Sequence, residues 1–462
     1  MKRFYLLAAL LCAASSSFGS EKKPNIVFIN ADDLTHTDLS VYGGQAITPN
    51  FERLASEGMR FTHCFQAAPM CSPTRHNLYT GIHPVKSGAY PNHTFAKEGT
   101  KSIVHHLKPH GYRVALSGKT HIAPESVFPF EYSGKKNPDM EVIEKLMVES
   151  KEAGTPFCLF ACSNEPHTPW TYGDASQYPP EKIKLPPWLL DTPETREGMS
   201  EYLAEITYYD SQVGQILDLL DKHGLAENTI VMLSSEQGNS LPFAKWTCYD
   251  NGLQTALIVR WPGKVENGSS TDAIVEYVDI VPTLLDAAAA EATGPLDGKS
   301  FLPVLKGETD QHKDYTFGIM TTRGIINGSD TYGIRRVRSK THNLILNLTP
   351  KTEFTNACTK SGEFLSWKEK AEAGDERAKL LVEKYHHRPR IELYEVGKEW
   401  HEWNNLADSP EHVEIKKELR KQLNAWMKEC GDLGQGTELA AYEHQGGKRN
   451  KNKGKAKGKA KK

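Results

Sequence analysis

Asn25-Ile26-Val27-Phe28-Ile29-Asn30-Ala31-Asp32-Asp33 joins a short, nearly unbroken apolar run to two adjacent carboxylates. A run without polar alternation suits a strand covered on both faces, the usual state in a parallel sheet. The same unit recurs down the chain. Tyr112 to Ser117 leads to Lys119 and His121, Phe157 to Ser163 leads to His167, and Thr229 to Ser235 leads to Glu236 and Gln237; Leu257 to Trp261 is a further strand. Amphipathic stretches separate them: Asn50 to Gly58, Ser102 to His110, Met140 to Ala153, and Met199 to His223, the last closed by Gly224. This alternation predicts an α/β fold over residues 20–310, with a mostly parallel central sheet flanked by helices. Open α/β sheets gather ligands at the carboxyl ends of their strands. The charged residues fall there.

After Gly307 the pattern turns to short β segments, Gly333 to Arg338 and Leu344 to Leu348, then a helix from about Pro410 to Cys430. This predicts a smaller C-terminal α+β subdomain over 311–440 with a small antiparallel sheet. At 462 residues and 38% apolar the chain is long enough for both units. Lys2 and Arg3, the apolar run Phe4 to Ala14, and Ser17-Phe18-Gly19 read as a signal peptide over 1–19, so the protein is expected to be exported, periplasmic or secreted. The apolar run is shorter than the roughly 20 residues that a membrane span needs. Lys448 to Lys462 holds nine Lys or Arg and no acid; without it and Lys2 and Arg3, the net charge of −2 becomes −13. Such a tail, 441–462 here, cannot bury apolar area and is expected to be disordered. It is either a passive solvated end or a contact for polyanions, and no nucleic-acid function is expected. Of eight cysteines, Cys158 and Cys162 would lie about 13 Å apart on one strand and cannot pair with each other.

Asp32 and Asp33 suit a hard divalent cation as well as a turn or helix cap. Joined by Glu236 and Gln237 they would offer oxygen ligands alone, which points to Ca²⁺ or Mg²⁺ and away from zinc or copper.

Cys71-Ser72-Pro73-Thr74-Arg75, with Leu78-Tyr79-Thr80-Gly81 behind it, resembles the type I sulfatase signature Cys-x-Pro-x-Arg. Other runs match the same family in order: Thr48-Pro49-Asn50 with Arg53-Leu54, Gly118-Lys119-Thr120-His121, Pro166-His167-Thr168-Pro169, Lys245 in Lys245-Trp246-Thr247, and Glu392-Leu393-Tyr394-Glu395 with Asn405-Leu406-Ala407. The chain is thus similar to formylglycine-dependent sulfatases of the alkaline-phosphatase-like superfamily, in an exported, bacterial polysaccharide-type form.

The resemblance implies that a formylglycine-generating enzyme oxidises Cys71 to formylglycine. One hydroxyl of its hydrate would attack sulfur, and the other would later expel sulfate. It further implies that Arg75 holds the hydrate, that His121 takes the proton when sulfate leaves, and that His167 protonates the leaving oxygen. Lys119 and Lys245 would bind sulfate oxygens. Asp32, Asp33, the matured Cys71, Glu236 and Gln237 would hold the cation, Ca²⁺ ahead of Mg²⁺. One departure stands out: the family usually has Asp followed by Asn or His where this chain has Glu236 and Gln237, which keep the charge and the carbonyl oxygen.

The implied substrate is a sulfate ester, or an N-sulfate, of a sulfated polysaccharide or its oligosaccharides. Arg335, Arg338, His83 and His93 are further positions for substrate contact, with a structural role the favoured reading at each. Two other readings stay open, a phosphonate monoester or phosphodiester hydrolase on the same fold and a non-catalytic glycan-binding protein.

Overall fold

The computed structural model describes residues 22–397 and 401–445. The expected signal peptide and nearly all of the basic tail lie outside these residues. Nine strands form one sheet: β1 (Asn25–Asn30), β2 (Met59–Phe65), β3 (Arg113–Gly118), β4 (Glu131–Tyr132), β5 (Phe157–Cys162), β6 (Thr229–Ser234), β7 (Gln254–Arg260), β8 (Ser269–Thr271) and β9 (Val275–Glu276). Their order is β4-β3-β5-β1-β6-β7-β2-β8, with β9 also on β2. All neighbouring pairs run parallel except those of β7, which is antiparallel to β6 and β2.

The burial pattern explains why β1, β5 and β6 read as unbroken apolar runs. Every residue of all three is buried. Alternate side chains serve opposite faces, as the pleat requires. Val27, Ile29, Leu159, Ala161, Val231 and Leu233 pack with the helices Met140–Ala153 and Pro193–Lys222, whereas Ile26, Phe28, Phe160, Ile230 and Met232 pack with the helix Ile280–Ala287.

A second sheet has four antiparallel strands in sequence order, β10 (Thr316–Thr321), β11 (Gly333–Arg338), β12 (His342–Asn347) and β13 (Ile391–Glu395). Ile319, Val337, Leu344 and Leu393 on one face of it pack with Leu419, Leu423 and Trp426 of the helix Val413–Cys430. Met320, Ile334, Ile345 and Tyr394 on the other face join the core of the large sheet. The fold class expected from sequence is therefore the one found.

Several elements differ from the expectation in extent. The long helix begins at Pro193, six residues before Met199, because the Thr192 hydroxyl accepts the Thr195 N–H and Pro193 occupies the first turn. The segment expected as one helix over Ser102 to His110 is an α-helix only over Ile103–Leu107 and continues as a 3₁₀ turn at Lys108–His110, where Pro109 withholds a backbone donor. All seven described cysteines are free and buried.

Candidate active site

Four β-strands deliver the site from their carboxyl ends. Asp32 and Asp33 follow β1, Lys119 and His121 follow β3, His167 follows β5, and Glu236 and Gln237 follow β6. Two glycines permit the close approach. Gly118 has φ +102°, and a Cβ there would meet the Cys162 carbonyl oxygen at 2.0 Å; a Cβ on Gly238 would meet that of Asn251 at 2.0 Å.

The helix expected over Asn50 to Gly58 is α1 (Pro49–Ser56), and Cys71 is the first residue of a helix that no sequence pattern announces, α2 (Cys71–Thr80), all ten of whose residues are buried. Tyr79 anchors its far end, edge-on to Phe160 at 4.9 Å between ring centres. Arg75, one turn on from Cys71, is buried and donates to the carbonyls of Lys119 at 3.0 Å and Ala31 at 3.2 Å, while its Nε lies 3.0 Å from Glu236 Oε1. Burial opposes its charge, and the Glu236 carboxylate overcomes that and keeps it protonated. One guanidinium thus ties α2 to β1, β3 and β6.

Cys71 Sγ sits 3.1 Å from His121 Nδ1, and His121 Nε2 sits 3.0 Å from His93 Nδ1. Burial pushes the thiol up to about 12, so it remains protonated. Burial, with the charge of Lys119 behind it, pushes His121 down to about 2, so its ring is neutral.

The acidic and basic groups interlock. Lys119 Nζ pairs with Asp32 Oδ2, and Lys245 Nζ lies 2.5 Å from Asp33 Oδ2 and 5.0 Å from the centre of the Trp246 ring. Burial lowers Lys119 to about 7, whereas for Lys245 the Asp33 carboxylate outweighs burial and raises it. His167 Nε2 is 3.5 Å from Asp33 Oδ2 and its Nδ1 is 2.7 Å from the Thr168 carbonyl oxygen, which fixes the ring. The charge of Lys245 is the largest cause of its fall to about 4.

A divalent cation fits this donor set. Gln237 Nε2 lies 2.8 Å from Asp33 Oδ1 and 3.2 Å from Asp32 Oδ1, while Gln237 Oε1 is buried with no hydrogen-bond partner. Exchanging the two ends of this amide, which are nearly the same shape, aims an oxygen at both carboxylates. Glu236 stands beside them, with Oε2 at 3.3 Å from Gln237 Nε2. One ligand atom each from Asp32, Asp33 and His167 also lies within 4.8 Å of the others.

Of the four further positions, three are remote from this cluster. Arg335 is wholly buried and pairs with Asp432 and Glu438, Arg338 pairs with Asp250 and covers the Phe65 ring, and His83 packs edge-on against Trp426. A buried arginine needs such carboxylates to keep its charge. Only His93 joins the site, and no motif marks it, because its loop meets His121 through tertiary structure alone.

The sequence model of the family described as Sulfatase matches residues 24–290. This chain belongs to the sulfatase family. It is a sulfuric ester hydrolase by that membership, and a second family model, "N-sulphoglucosamine sulphohydrolase, C-terminal", matches residues 238–349. An "Ulvan-active sulfatase" of Formosa agariphila is 31% identical over 422 residues, covering 89% of this chain and 81% of its own. Among solved structures, that of BT4656 with its substrate D-glucosamine-2-N,6-O-disulfate superimposes with a TM-score of 0.67 at 20% identity, covering 89% of this chain and 99% of that one. A phosphonate monoester hydrolase from Silicibacter pomeroyi gives the same TM-score at 17% identity, over 89% and 96% of the two chains. Both are likenesses of fold.

Proposed function

We propose that this sulfatase hydrolyses sulfate esters of a sulfated polysaccharide or its oligosaccharides, with Cys71 matured to formylglycine by a formylglycine-generating enzyme. Asp32, Asp33, Glu236 and Gln237 hold a divalent cation, Ca²⁺ ahead of Mg²⁺. A formylglycine hydrate at position 71 would supply the nucleophile, and a cation held by these residues would supply polarisation of the sulfuryl oxygens.

The chain's own side chains do the rest. Lys119 and Lys245 bind sulfate oxygens and offset the charge that gathers there. His167 gives a proton to the leaving oxygen, the negative charge of the bound sulfate offsetting the Lys245 charge that otherwise keeps its ring neutral. His121, neutral and 3.1 Å from residue 71, receives the proton released as sulfate departs. Arg75 fixes the first turn of α2. The observation that carries this reading is that Cys71 sits against a neutral imidazole inside a ring of buried basic groups.

The ulvan-active relative supports a sulfated glycan as substrate class, and the C-terminal family match supports keeping N-sulfated sugars in view. We take the protein to be exported, on the strength of residues 1–19. The test is free sulfate release from a panel of O- and N-sulfated glycans by protein co-expressed with a formylglycine-generating enzyme. Release from one glycan that Cys71→Ala abolishes supports the assignment. Turnover of a matched phosphonate ester, with no glycan releasing sulfate, sinks it in favour of phosphonate hydrolysis.

A further inference from the structure

His93 is exposed, yet its Nδ1 lies 3.0 Å from His121 Nε2, with the two ring centres 4.9 Å apart. Both residues have left-handed backbones, φ +54° at His93 and +52° at His121. Side chains other than glycine visit that region sparingly, and a surrounding structure that imposes it twice, on contacting residues, is holding a geometry. Burial and then the charges of Lys119 and Arg75 act on His121, burial and Lys245 act on His93, and Glu236 and Asp33 act on Cys71.

The His121 ring presents one nitrogen to each of two partners, Nδ1 to Cys71 Sγ at 3.1 Å and Nε2 to His93 Nδ1 at 3.0 Å. Cys71 sulfur is a weak acceptor and His93 Nδ1 a good one, so the proton belongs on Nε2, aimed at His93. His121 Nδ1 then faces residue 71 with its lone pair free. We infer, on the sulfatase reading above, that His93 is a positioning residue that accepts the His121 Nε2–H and thereby holds His121 in the one tautomer able to take a proton from residue 71. The partner of one imidazole nitrogen sets which nitrogen is free. No covalent bond to His93 is involved.

The test compares His93→Asn with His93→Phe in the full chain, matured and unmatured. Asparagine tolerates a positive φ and places its carbonyl oxygen near the position of Nδ1, whereas phenylalanine keeps the ring and loses the acceptor. Two readouts are taken: kcat and KM for sulfate release, and ring ¹⁵N chemical shifts of His121, assigned by His121→Gln. The expected result is Nε2-protonated His121 in the parent protein, a roughly 10- to 100-fold lower kcat at unchanged KM in His93→Phe with a mixture of tautomers, and recovery of most of both in His93→Asn.

A raised KM with kcat retained in His93→Phe would make His93 a substrate contact and overturn the inference. So would Nδ1-protonated His121 in the parent. If His93→Phe does not fold, the parent shifts and His93→Asn decide. If the matured parent releases no sulfate from any ester, the sulfatase reading has failed, and the ¹⁵N shifts still decide the role of His93.

Discussion

Gln237 is one of the two residues, with Glu236, at which this chain departs from the sulfatase pattern, and its consequences are local. Its Oε1 is buried without a partner, and its amide nitrogen contacts Asp32, Asp33 and Glu236. Gln237→Leu keeps the size and removes the oxygen. Its affinity for Ca²⁺ is expected to fall about tenfold or more, as read from the midpoint of a Ca²⁺ titration followed by thermal unfolding. Arg335 makes the opposite case. It could have been a glycan contact by its sequence, but its partners Asp432 and Glu438 leave it no function at the surface. Arg335→Met strands two buried carboxylates and is expected to cost about 3–5 kcal/mol in urea unfolding, with KM for the glycan unchanged in whatever fraction stays folded.

At the scale of the element, the helix Ile280–Ala287 is entered through Asp279, a buried carboxylate that accepts from His312 at 3.1 Å and pairs with Lys313 at 2.7 Å. Burial favours its neutral form, but Lys313 and His312 outweigh it and hold the carboxyl below the usual carboxylate range. A folded pKa lower than the unfolded one means stability that is present above about pH 4 and is lost as pH falls further. Urea midpoints of the parent are expected to decline below about pH 4, and those of Lys313→Gln to be lower at pH 7 with a flatter decline.

The elements also show what sequence patterns can carry. β1, β5 and β6 are legible because strands enclosed on both faces are written almost wholly in apolar residues. β2, Met59-Arg60-Phe61-Thr62-His63-Cys64-Phe65, is not, since its polar residues keep partial exposure and its pairing with β7 shifts register between Phe61 and Cys64. α2 escapes for another reason. Its residues are all buried, but Ser72, Thr74, Arg75, His76 and Asn77 are polar, so no apolar stripe announces a helix. The site residues in α2 were therefore visible as a motif while the element that aims them was not, and His93, contributed by a loop without a motif, gave no sign of its contact with His121.

For the whole molecule, the proposed cation binding would be linked to stability. Asp32 and Asp33 are fully buried at the end of the central strand, and only the folded chain brings Gln237 and Glu236 to them. A ligand that binds only the native state raises stability with its concentration. Chelation is expected to lower the thermal midpoint, Ca²⁺ to restore it, and Asp33→Asn to be insensitive to both; differential scanning calorimetry checks all three.

The place of β1 in the sheet has a consequence for synthesis. Ile26 is among the first described residues to be made, but it pairs with Cys158 and Ile230. Contacts this distant in sequence are slow to form and cannot begin on a growing chain until the later partner has emerged. Lys245, which closes the site over Asp33, comes later still. Until then Cys71 has neither the strands below it nor the basic groups around it, and afterwards only 3% of its surface remains accessible. On the proposed function, an enzyme that grips the Cys71 thiol has a window bounded by the ribosome at one end and by closure of β6 against β1 at the other, and the speed of translation between them would set how much of the protein becomes competent.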